Sequence, residues 1–316
     1  MNLTVNSMKC FITGIKGFGA RYLAAELLNQ GHLVAGSYRK EEPGELPPQV
    51  KGVILDILQA DKLKEALLSF RPEWIFHLAG ISNISYSWKN PEITHKINVD
   101  GTTNLLDACC GLSLDVRILF ASSADIYGIP DKIPMKEDNP IHLTSPYSYS
   151  KFEAEKLCLS YLKKFNIHTV ISRSFPHIGP GQSLGFVTQD FAKQIVDIEK
   201  GKTSPIIYVG NLDAERDFTD VRDTMKAYVL LIEKGKKGEI YNISMGKSIK
   251  IKNLLDMMLA LSKAKILVSV DKNKFRPVEV PILYGDNTKF VQLTHWKPTI
   301  TIEDSLKDIL TYWREQ

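Results

Sequence analysis

A glycine-rich stretch near the start of the chain decides its fold: Thr13-Gly14-Ile15-Lys16-Gly17-Phe18-Gly19-Ala20. Residues 9–13 before it form an apolar run typical of a short buried strand, and residues 18–29 after it have helical spacing that ends at Gly31. Glycines between a strand and a helix let the backbone approach a pyrophosphate, whose charge is met by the first amides of the helix. The stretch therefore predicts a dinucleotide-binding unit.

Residues 33–39 read as the second strand and its exit, where the type of charge separates the two nicotinamide dinucleotides. An acidic residue at this exit binds the adenosine ribose hydroxyls, whereas a basic one accommodates a 2′-phosphate. The chain offers Ser37, Arg39 and Lys40, and no acid before Glu41. NADP(H) is therefore the preferred cofactor and NAD(H) the alternative, while a simple surface Arg–Lys pair is the competing interpretation.

Further strand patterns alternate with helical ones through the first half of the chain. The strand patterns fall at 53–57, 74–80, 117–121 and 167–173, and the helical patterns at 61–69 and 91–110, with a further helix opening near residue 146. This alternation predicts an α/β fold, a Rossmann-type doubly wound parallel sheet that binds ligands beyond the carboxyl ends of its strands.

The second half is less regular and predicts a smaller, interwoven α/β substrate-binding lobe. Helical patterns at 186–199, 221–233, 251–261 and 302–314 accompany short strand patterns at 206–209 and 239–243. We expect residues 8–173 to form the Rossmann domain, which takes back roughly 219–245. The lobe would consist of residues 174–218 and 246–316, and residues 1–7 would be a loose leader.

Two polar stretches point to acid–base chemistry. Ser122 and Ser123 follow a predicted strand, and the later stretch Ser145-Pro146-Tyr147-Ser148-Tyr149-Ser150-Lys151 sets a Tyr four residues before a Lys. On a helix this spacing puts both side chains on one face, where a cation lowers the pKa of a phenol from its usual value near ~10. A Ser-rich turn and an exposed Tyr with a solvated Lys are the competing interpretations.

Composition limits the partners of the protein. The chain has 316 residues, 44% hydrophobic and 24% charged, with a net charge of +4. No run of Lys or Arg predicts binding to nucleic acid or to a membrane, and no apolar run is long enough to span a bilayer. The start of the chain lacks a signal pattern, so we expect a cytoplasmic protein. The four cysteines show no metal-binding spacing, and no metal is expected.

With these residues in hand, the chain resembles the extended short-chain dehydrogenase/reductases, the epimerase/dehydratase family of nucleotide-sugar enzymes. The resemblance is carried by Thr13-Gly14 with Gly17, Asp56-Ile57, His77-Leu78-Ala79, Asn98-Val99 with Gly101-Thr102, Ser122-Ser123, Tyr127-Gly128, Tyr147 with Lys151, and Arg216-Asp217-Phe218. Within the family, residues 177–182, 210–213 and 276–281 look most like GDP-4-keto-6-deoxy-mannose reductases and next most like GDP-mannose 4,6-dehydratases.

The resemblance implies a role for each matching residue. Tyr147 would exchange a proton with the sugar O4, Lys151 would lower its pKa and hold the nicotinamide ribose, and Ser123 would hydrogen-bond the same oxygen. The implied cofactor-binding residues are Gly14, Gly17, Phe18, Gly19, Ser37, Arg39, Asp56, Ile57, Leu78 and Ala79, with Tyr147 and Lys151. The implied substrate-binding residues are Ser85, Lys193, Arg216, Arg276 and Glu279, and for the last four a surface salt bridge is the alternative.

Three departures from the family pattern bear on the reaction. Ala20 stands where the third loop glycine usually falls, Pro176 replaces an Asn that touches the sugar nucleotide, and Asp125 lies where the 4,6-dehydratases carry a catalytic Glu. The leading hypothesis is an NADP(H)-dependent reductase of a GDP-4-keto-6-deoxy-hexose. The alternatives are a GDP-sugar 4,6-dehydratase, a C4 dehydrogenase or epimerase, and a non-catalytic nucleotide-sugar or NADP-binding protein. Family members often dimerise, so a homodimer through the helices at 91–110 and 147–165 is expected.

Overall fold

The computed structural model describes residues 7–40, 45–275 and 277–316. Its strands are β1 (Lys9–Thr13), β2 (Leu33–Tyr38), β3 (Lys51–Ile54), β4 (Trp74–His77), β5 (Arg117–Ser123), β6 (His168–Ser174), β7 (His177–Ile178), β8 (Ile206–Val209), β9 (Glu215–Arg216), β10 (Thr219–Asp220), β11 (Ile240–Ile243), β12 (Ile249–Lys250), β13 (Leu267–Val270) and β14 (Ile282–Leu283). Its helices are α1 (Phe18–Asn29), α2 (Ala60–Phe70), α3 (Ile84–Lys89), α4 (Pro91–His95), α5 (Gly101–Gly111), α6 (Pro146–Phe165), α7 (Val187–Glu199), α8 (Val221–Lys234), α9 (Ile251–Ala260), α10 (Thr288–Thr294) and α11 (Ile302–Glu315).

Seven parallel strands form the central sheet, in the spatial order β11-β6-β5-β4-β1-β2-β3. Apolar side chains of α1 and α8 cover one face of the sheet, and those of α2, α5 and α6 cover the other. Every carboxyl end in a parallel sheet lies at the same edge, so the ends of β1, β2, β4 and β5 meet there. The Rossmann-type fold predicted from the alternation of patterns is confirmed.

Helix α6 begins where its sequence predicts. The Ser145 hydroxyl accepts from the N–H of Ser148 at 3.1 Å, the Ser148 hydroxyl accepts from the N–H of Ser145 at 3.0 Å, and Pro146 occupies the first turn. This reciprocal capping satisfies amides that the helix leaves unpaired, and proline fits the first turn because it has no N–H to lose. Tyr147 and Lys151 are thus fixed one turn apart at the start of a long helix.

The prediction was inaccurate in two places near the cofactor edge. The strand expected at 53–57 is β3 (Lys51–Ile54), because the chain turns away after Leu55, where the Asp56 carboxylate accepts from the N–H of Leu58 at 2.9 Å. The helix expected at 91–110 is interrupted by a π-helical segment, Lys96–Asp100, between α4 and α5. Such segments frequently occur at functional sites.

A third apolar cluster contains buried side chains of α7, α9 and α11, among them Phe191, Leu254 and Ile309. Three small sheets accompany it, with the orders β10-β7, β12-β9-β14 and β13-β8. Strand β11 follows β7 to β10 along the chain, but it pairs with β6 and so belongs to the central sheet. The proposed boundaries of the two domains stay a prediction, and residues 1–6 of the expected leader lie outside the described residues.

Across the described ranges, no helix combines the length and apolar character needed to cross a membrane.

Candidate active site

The glycine turn brings backbone atoms close together at the end of β1. Gly14 has a φ of +71°, and a Cβ built on it would lie 3.0 Å from Cα of Ala79. A Cβ on Gly17 would lie 3.0 Å from the carbonyl oxygen of Gly14, which accepts from the N–H of Gly17 at 2.8 Å. Side chains at either position would therefore crowd the backbone of the turn, whose tight path opens the first helix amides to a phosphate.

Gly19 has a different surrounding. A Cβ on Gly19 would lie 3.3 Å from Cε of Met225 on α8 and 3.8 Å from Nε2 of His177. The ring of Phe18 stacks on the ring of His177, with centroids 5.9 Å apart. These two residues of the turn therefore contact α8 and the segment after β6, and Ala20, the departure from the family pattern, is buried behind them.

One cavity at the carboxyl ends of β1, β2 and β4 brings most of the predicted cofactor-binding residues together. Its lining includes Gly14, Gly17, Ser37, Arg39, Asp56, Ile57, Leu78 and Ala79. Backbone N–H groups, small residues and apolar side chains make up this surface, and a dinucleotide needs such a surface for its phosphates and adenine. The residues present thus fit a nicotinamide dinucleotide.

A basic side chain from the glycine turn reaches the exit of β2, and the sequence interpretation missed it. The ammonium of Lys16 lies 4.1 Å from the centroid of the Tyr38 ring. Tyr38 stands between Ser37 and Arg39, so two cations flank this corner of the cavity. The signal was available in the glycine turn, where Lys16 directly precedes Gly17.

A buried histidine holds the strand ends in place. His77 at the end of β4 forms hydrogen bonds of 2.8 Å with Thr13 Oγ1 and 3.0 Å with Thr102 Oγ1. Burial lowers the pKa of His77 to about 3, so the ring is neutral at physiological pH. The Thr13 hydroxyl oxygen also accepts from the N–H groups of Leu78 and Ala79 at 3.1 and 3.0 Å. His77 therefore supports the cavity floor.

Ser123, Asp125 and Tyr147 meet where the carboxyl end of β5 lies against the start of α6, and they are not among the residues that line the cavity. The Ser123 hydroxyl donates to Oδ2 of Asp125 at 3.1 Å, and the N–H of Asp125 donates back to Ser123 Oγ at 3.2 Å. Burial raises the pKa of Tyr147 above its usual value, and the Asp125 charge raises it further, whereas the hydrogen bond with Ser123 lowers it. The phenol is therefore protonated at neutral pH, in the form that donates a proton.

Lys151 is buried one turn after Tyr147. Its ammonium lies 4.7 Å from the centroid of the Phe120 ring, and burial lowers its pKa to about 8, while Cys158 and Glu155 act in the opposite direction. The groups that act most strongly on the pKa of Tyr147 do not include Lys151. The expected lowering of that pKa by Lys151 has no support in this geometry and stays a prediction.

Two further side chains fix the start of α6 and were missed from sequence. Ser87 on α3 accepts from the N–H of Tyr147 at 3.2 Å. Asn98 in the π-helical segment donates to Ser150 Oγ at 2.8 Å and also pairs with the backbone of Ile81, accepting from its N–H at 2.8 Å. Asn98 thus ties the exit of β4 to α6. The sequence pointed to Asn98 only through the motif Asn98-Val99 with Gly101-Thr102.

The predicted substrate-binding residues lie at several places. Ser85 is exposed on α3, and Lys193 on α7 forms an ion pair with Asp197. Arg216 on β9 is buried and donates to the carbonyl oxygen of Glu215 at 2.7 Å. Glu279 lies half-buried in the segment that leads into β14, the neighbour of β9, so it approaches the strand of Arg216. Arg276 lies outside the described residues.

A parallel Rossmann-type sheet, a glycine turn at its carboxyl edge and a Ser–Tyr–Lys set beside that turn define an extended short-chain dehydrogenase/reductase. The more particular family follows from comparison with known proteins. A model of the GDP-mannose 4,6 dehydratase family matches residues 11–309. The chain therefore belongs to the GDP-mannose 4,6-dehydratase family, and the resemblance found in its motifs is confirmed.

Individual relatives span nearly the whole chain. GDP-6-deoxy-D-mannose reductase of Pseudomonas aeruginosa is 32% identical over 312 residues, which cover 98% of each protein. Human GDP-mannose 4,6 dehydratase is 28% identical, over 95% of this chain and 89% of its own. The solved structure of RMD from Pseudomonas aeruginosa complexed with NADPH is similar with a TM-score of 0.86 at 31% identity, covering 98% of this chain and 99% of that chain.

Proposed function

We propose that this protein is an NADP(H)-dependent reductase of a GDP-linked 4-keto-6-deoxy-hexose. The observation that carries the proposal is the placement of Tyr147, which is buried at the start of α6 with its phenol hydrogen-bonded to Ser123 and close to Asp125. Reduction of a ketone needs a proton donor for the oxygen that becomes a hydroxyl. The reductase relative named above supports the same direction of reaction.

In the proposed reaction, NADPH supplies a hydride to C4 of the sugar. Tyr147 then donates its phenolic proton to O4, so that the carbonyl becomes a secondary alcohol and the phenolate recovers a proton from solvent. Ser123 would turn its hydroxyl proton from the Asp125 carboxylate to the same oxygen and orient that oxygen toward Tyr147. The Lys151 ammonium holds the nicotinamide ribose and offsets the negative charge that develops on the phenol.

The basic residues near the cavity support NADP(H) as the preferred cofactor. Lys16 and Arg39 flank Tyr38 at the exit of β2, where a 2′-phosphate is accommodated in folds of this class. A guanidinium and an ammonium together neutralise such a phosphate, and NADH lacks that group. NAD(H) stays the alternative cofactor.

The sugar nucleotide would bind on the lobe side of the cavity. Arg216 on β9 would meet the diphosphate, since a guanidinium fork suits phosphate oxygens, and Arg276 would serve alongside it. Glu279 would accept from ribose hydroxyls, and Lys193 and Ser85 would complete the surface. Pro176 offers no side-chain amide, so contacts made there by an Asn in relatives would come from other groups.

Steady-state reduction tests the proposal. Purified protein with NADPH and GDP-4-keto-6-deoxy-mannose should oxidise NADPH and yield a GDP-6-deoxy-hexose. Tyr147→Phe should lower kcat by at least about 100-fold while NADPH still binds, because it removes only the proton donor. Tyr149→Phe, two residues away on the exposed side of the same helix, is the matched control and should retain activity. Near-normal turnover in Tyr147→Phe would refute the assignment.

A GDP-sugar 4,6-dehydratase is the second candidate, favoured by the Asp125 carboxylate beside Ser123. A carboxylate at this place can remove a proton next to a transient C4 ketone, after which water is eliminated. Incubation with GDP-mannose and no added reductant separates the two functions. Catalytic formation of a 4-keto product would establish the dehydratase, and its absence together with ketone reduction would establish the reductase.

A further inference from the structure

Strand β13 in the lobe is exposed on both of its faces. It pairs in parallel with β8, and the exposed fraction is 67% for Leu267, 43% for Val268 and 56% for Val270. Parallel strands are normally covered on both faces, because they are built from apolar residues. The sequence Leu-Val-Ser-Val of β13 therefore lacks, within the described part of the chain, the cover that such a strand usually has.

The outer edge of β13 also presents open backbone groups. The N–H groups of Leu267 and Asp271 donate to carbonyl oxygens on the β8 side of the pair, at 2.9 and 2.8 Å. Successive residues of a strand direct their backbone groups to opposite edges, so the N–H and C=O of Val268 and Val270 face away from β8. None of the residues in 7–40, 45–275 and 277–316 pairs with these four groups.

The other edge of this small sheet is closed. Gln194 on α7 accepts from the N–H of Tyr208 at 2.8 Å and donates to the carbonyl oxygen of Tyr208 at 3.2 Å. Lys274 donates to the same oxygen at 2.7 Å. These side chains take the place of a neighbouring strand at the middle of β8, which is one way in which proteins protect an edge from other chains. The open edge is that of β13.

Exposed lysines frame the open edge. Residues 200–209 and 262–275, which carry β8 and β13, contain six lysines and a single acid, Asp271. Lys274 turns back to β8, and the other five are exposed near the ends of the two strands: Lys200, Lys202, Lys263, Lys265 and Lys272. Because the strands are parallel, the first four lie near the amino end of the pair, and Lys272 lies near its carboxyl end.

The acids nearest to these lysines in sequence are engaged elsewhere. Glu199 pairs with Arg314, and Asp197 pairs with Lys193. The Asp271 carboxylate accepts from a backbone N–H two residues further on, at 2.9 Å. The five lysines form no ion pair with any residue that the structure describes. Both ends of β13 therefore carry positive charge that the described residues leave uncompensated.

These features distinguish between three occupants of the edge. A second copy of the chain would bring the same lysines against β13, and like charges oppose that pairing. A lipid surface would leave the outward backbone groups of Val268 and Val270 without hydrogen-bond partners. An extended polypeptide supplies those partners by adding a strand, and acidic residues within it would meet the lysines.

We propose that the outer edge of β13 is a docking site for an extended acidic segment of another protein, which adds to β13 as a third strand. The backbone of that segment pairs with Val268 and Val270, and its carboxylates meet Lys263, Lys265 and Lys272. The described lining of the cofactor cavity includes no residue of β8 or β13, so this surface is separate from that cavity. The inference goes beyond the proposed reductase and does not depend on it.

The first test is binding of a fluorescein-labelled heptapeptide that alternates glutamate and valine, followed by fluorescence anisotropy with the full chain. The peptide should bind saturably, and its Kd should rise at least about tenfold between about 0.05 and about 0.5 M salt, because salt screens the lysines. A heptapeptide that alternates lysine and valine is the charge control and should not bind. Failure of the acidic peptide to bind, or equal binding of both peptides, would overturn the inference.

Val268→Pro tests the backbone part of the site. Proline removes the outward N–H of residue 268 and leaves the bonds to β8 in place, since an edge strand tolerates proline where its N–H faces solvent. The Kd of the acidic peptide should rise at least about tenfold. Val268→Thr keeps the N–H and the β-branched shape, and it should bind as the wild type does. Thermal unfolding shows whether each variant is folded, and wild-type affinity in folded Val268→Pro would contradict strand addition.

Charge reversal provides a second variant that leaves the strand itself unchanged. Lys263→Glu with Lys265→Glu should raise the Kd of the acidic peptide at least about tenfold, because two attractive charges become repulsive. The matched control is Lys62→Glu with Lys64→Glu, the same change at two exposed positions of α2 on the central sheet. Equal affinities of the two double variants would show that the lysines beside β13 do not recognise the peptide.

The two other occupants are tested with the same variants. Sedimentation with vesicles made of equal parts phosphatidylcholine and phosphatidylserine tests a lipid surface, and vesicle binding without peptide binding would overturn the inference. Light scattering tests a contact between copies, and a smaller mass for Val268→Pro than for the wild type would also overturn it. None of these measurements needs a sugar substrate, so failure of the reductase assignment leaves their outcome unaffected.

Discussion

The hydroxyl of Ser123 donates to the carboxylate of Asp125 across 3.1 Å, and the N–H of Asp125 returns a hydrogen bond to the same hydroxyl oxygen. The carboxylate is therefore held against the strand end by a residue two positions earlier. Its negative charge opposes ionisation of Tyr147 and raises the pKa of that phenol. Asp125 therefore bears directly on how readily Tyr147 gives up a proton.

Asp125→Asn distinguishes the two candidate reactions. Asparagine keeps an oxygen that accepts from Ser123 but removes the charge, so ketone reduction should stay within about tenfold of wild type, because Tyr147 is still the donor. A dehydratase that uses Asp125 as its base would instead lose at least about 100-fold. Steady-state kinetics with both substrates checks this. Asp131→Asn on the exposed loop nearby is the control, and a 100-fold loss of reduction in Asp125→Asn would contradict the role given to Tyr147.

Arg39→Ala should weaken NADPH binding much more than NADH binding. Arg39 lines the cavity at the exit of β2, where folds of this class accommodate a 2′-phosphate, so we expect about a 10- to 100-fold rise in the Kd of NADPH and little change for NADH. Titration of tryptophan fluorescence with each dinucleotide measures both values. Arg71→Ala, an exposed arginine beyond α2, is the control. An equal rise in the Kd of NADPH and of NADH would contradict recognition of the 2′-phosphate by Arg39.

The lowered pKa of Lys151 predicts that NADPH affinity falls at alkaline pH. Burial lowers the pKa of this amine to about 8, below its usual value near ~10.4, so the ammonium is present at pH 7 and is lost as the pH rises through about 8. Binding isotherms between pH 6 and about 9.5 should show a rising Kd over the upper part of this range. In Lys151→Met the profile should be flat in that window. A wild-type affinity that is constant with pH would exclude an essential charge on Lys151.

Gly14→Ala and Gly31→Ala separate backbone strain from loss of close approach. Both glycines have positive φ, +71° and +81°, so each alanine should cost about 1 kcal/mol of unfolding free energy from strain. A Cβ at Gly31 meets nothing within 4 Å, whereas one at Gly14 lies 3.0 Å from Cα of Ala79. Denaturant unfolding should therefore show a larger loss for Gly14→Ala, and only this variant should lose NADPH binding. Similar losses of stability and of NADPH binding in both variants would show that the close approach of Gly14 to Ala79 has no effect.

We propose that the protein is a homodimer through the helices that flank the active site. Within the helices at 91–110 and 147–165 that are expected to pair, Ile93 and Tyr149 are exposed apolar side chains. Light scattering after size-exclusion chromatography should give twice the chain mass of 35.6 kDa. Tyr149→Lys should yield a monomer, because it places a charge in the buried surface, whereas Tyr208→Lys on β8 should remain dimeric. A monomeric wild type would refute the proposal.

Much of the fold was readable because local signals and tertiary structure agree in the first half. The bounds of β1 and α1 match the prediction, since glycines punctuate both ends of α1 and no competing pattern intrudes. The same holds for α6, whose capping residues are contiguous in sequence. The glycine turn and the Tyr–Lys spacing were accordingly the parts of the site that sequence could locate.

The remainder depends on contacts between residues distant in sequence. Strands of two residues such as β7, β9 and β12 exist only because another strand lies beside them, and they have no periodic pattern of their own. The pairing of Glu155 with Arg173 likewise needs α6 to lie across β5 and β6. A buried Glu on a helix looks like a solvated one until its partner is known.

The late recruitment of β11 has a consequence for biosynthesis. A nascent chain that has emerged only as far as residue 239 contains every other strand of the central sheet, yet the ladder positions of β6 that later pair with Ile240–Ile243 stand open. Open ladder positions invite pairing with other chains, so this stage is the one most exposed to aggregation. Once residues 240–243 have emerged, β11 pairs with β6 and becomes the terminal strand on that side, so the open edge passes from a strand of seven residues to one of four.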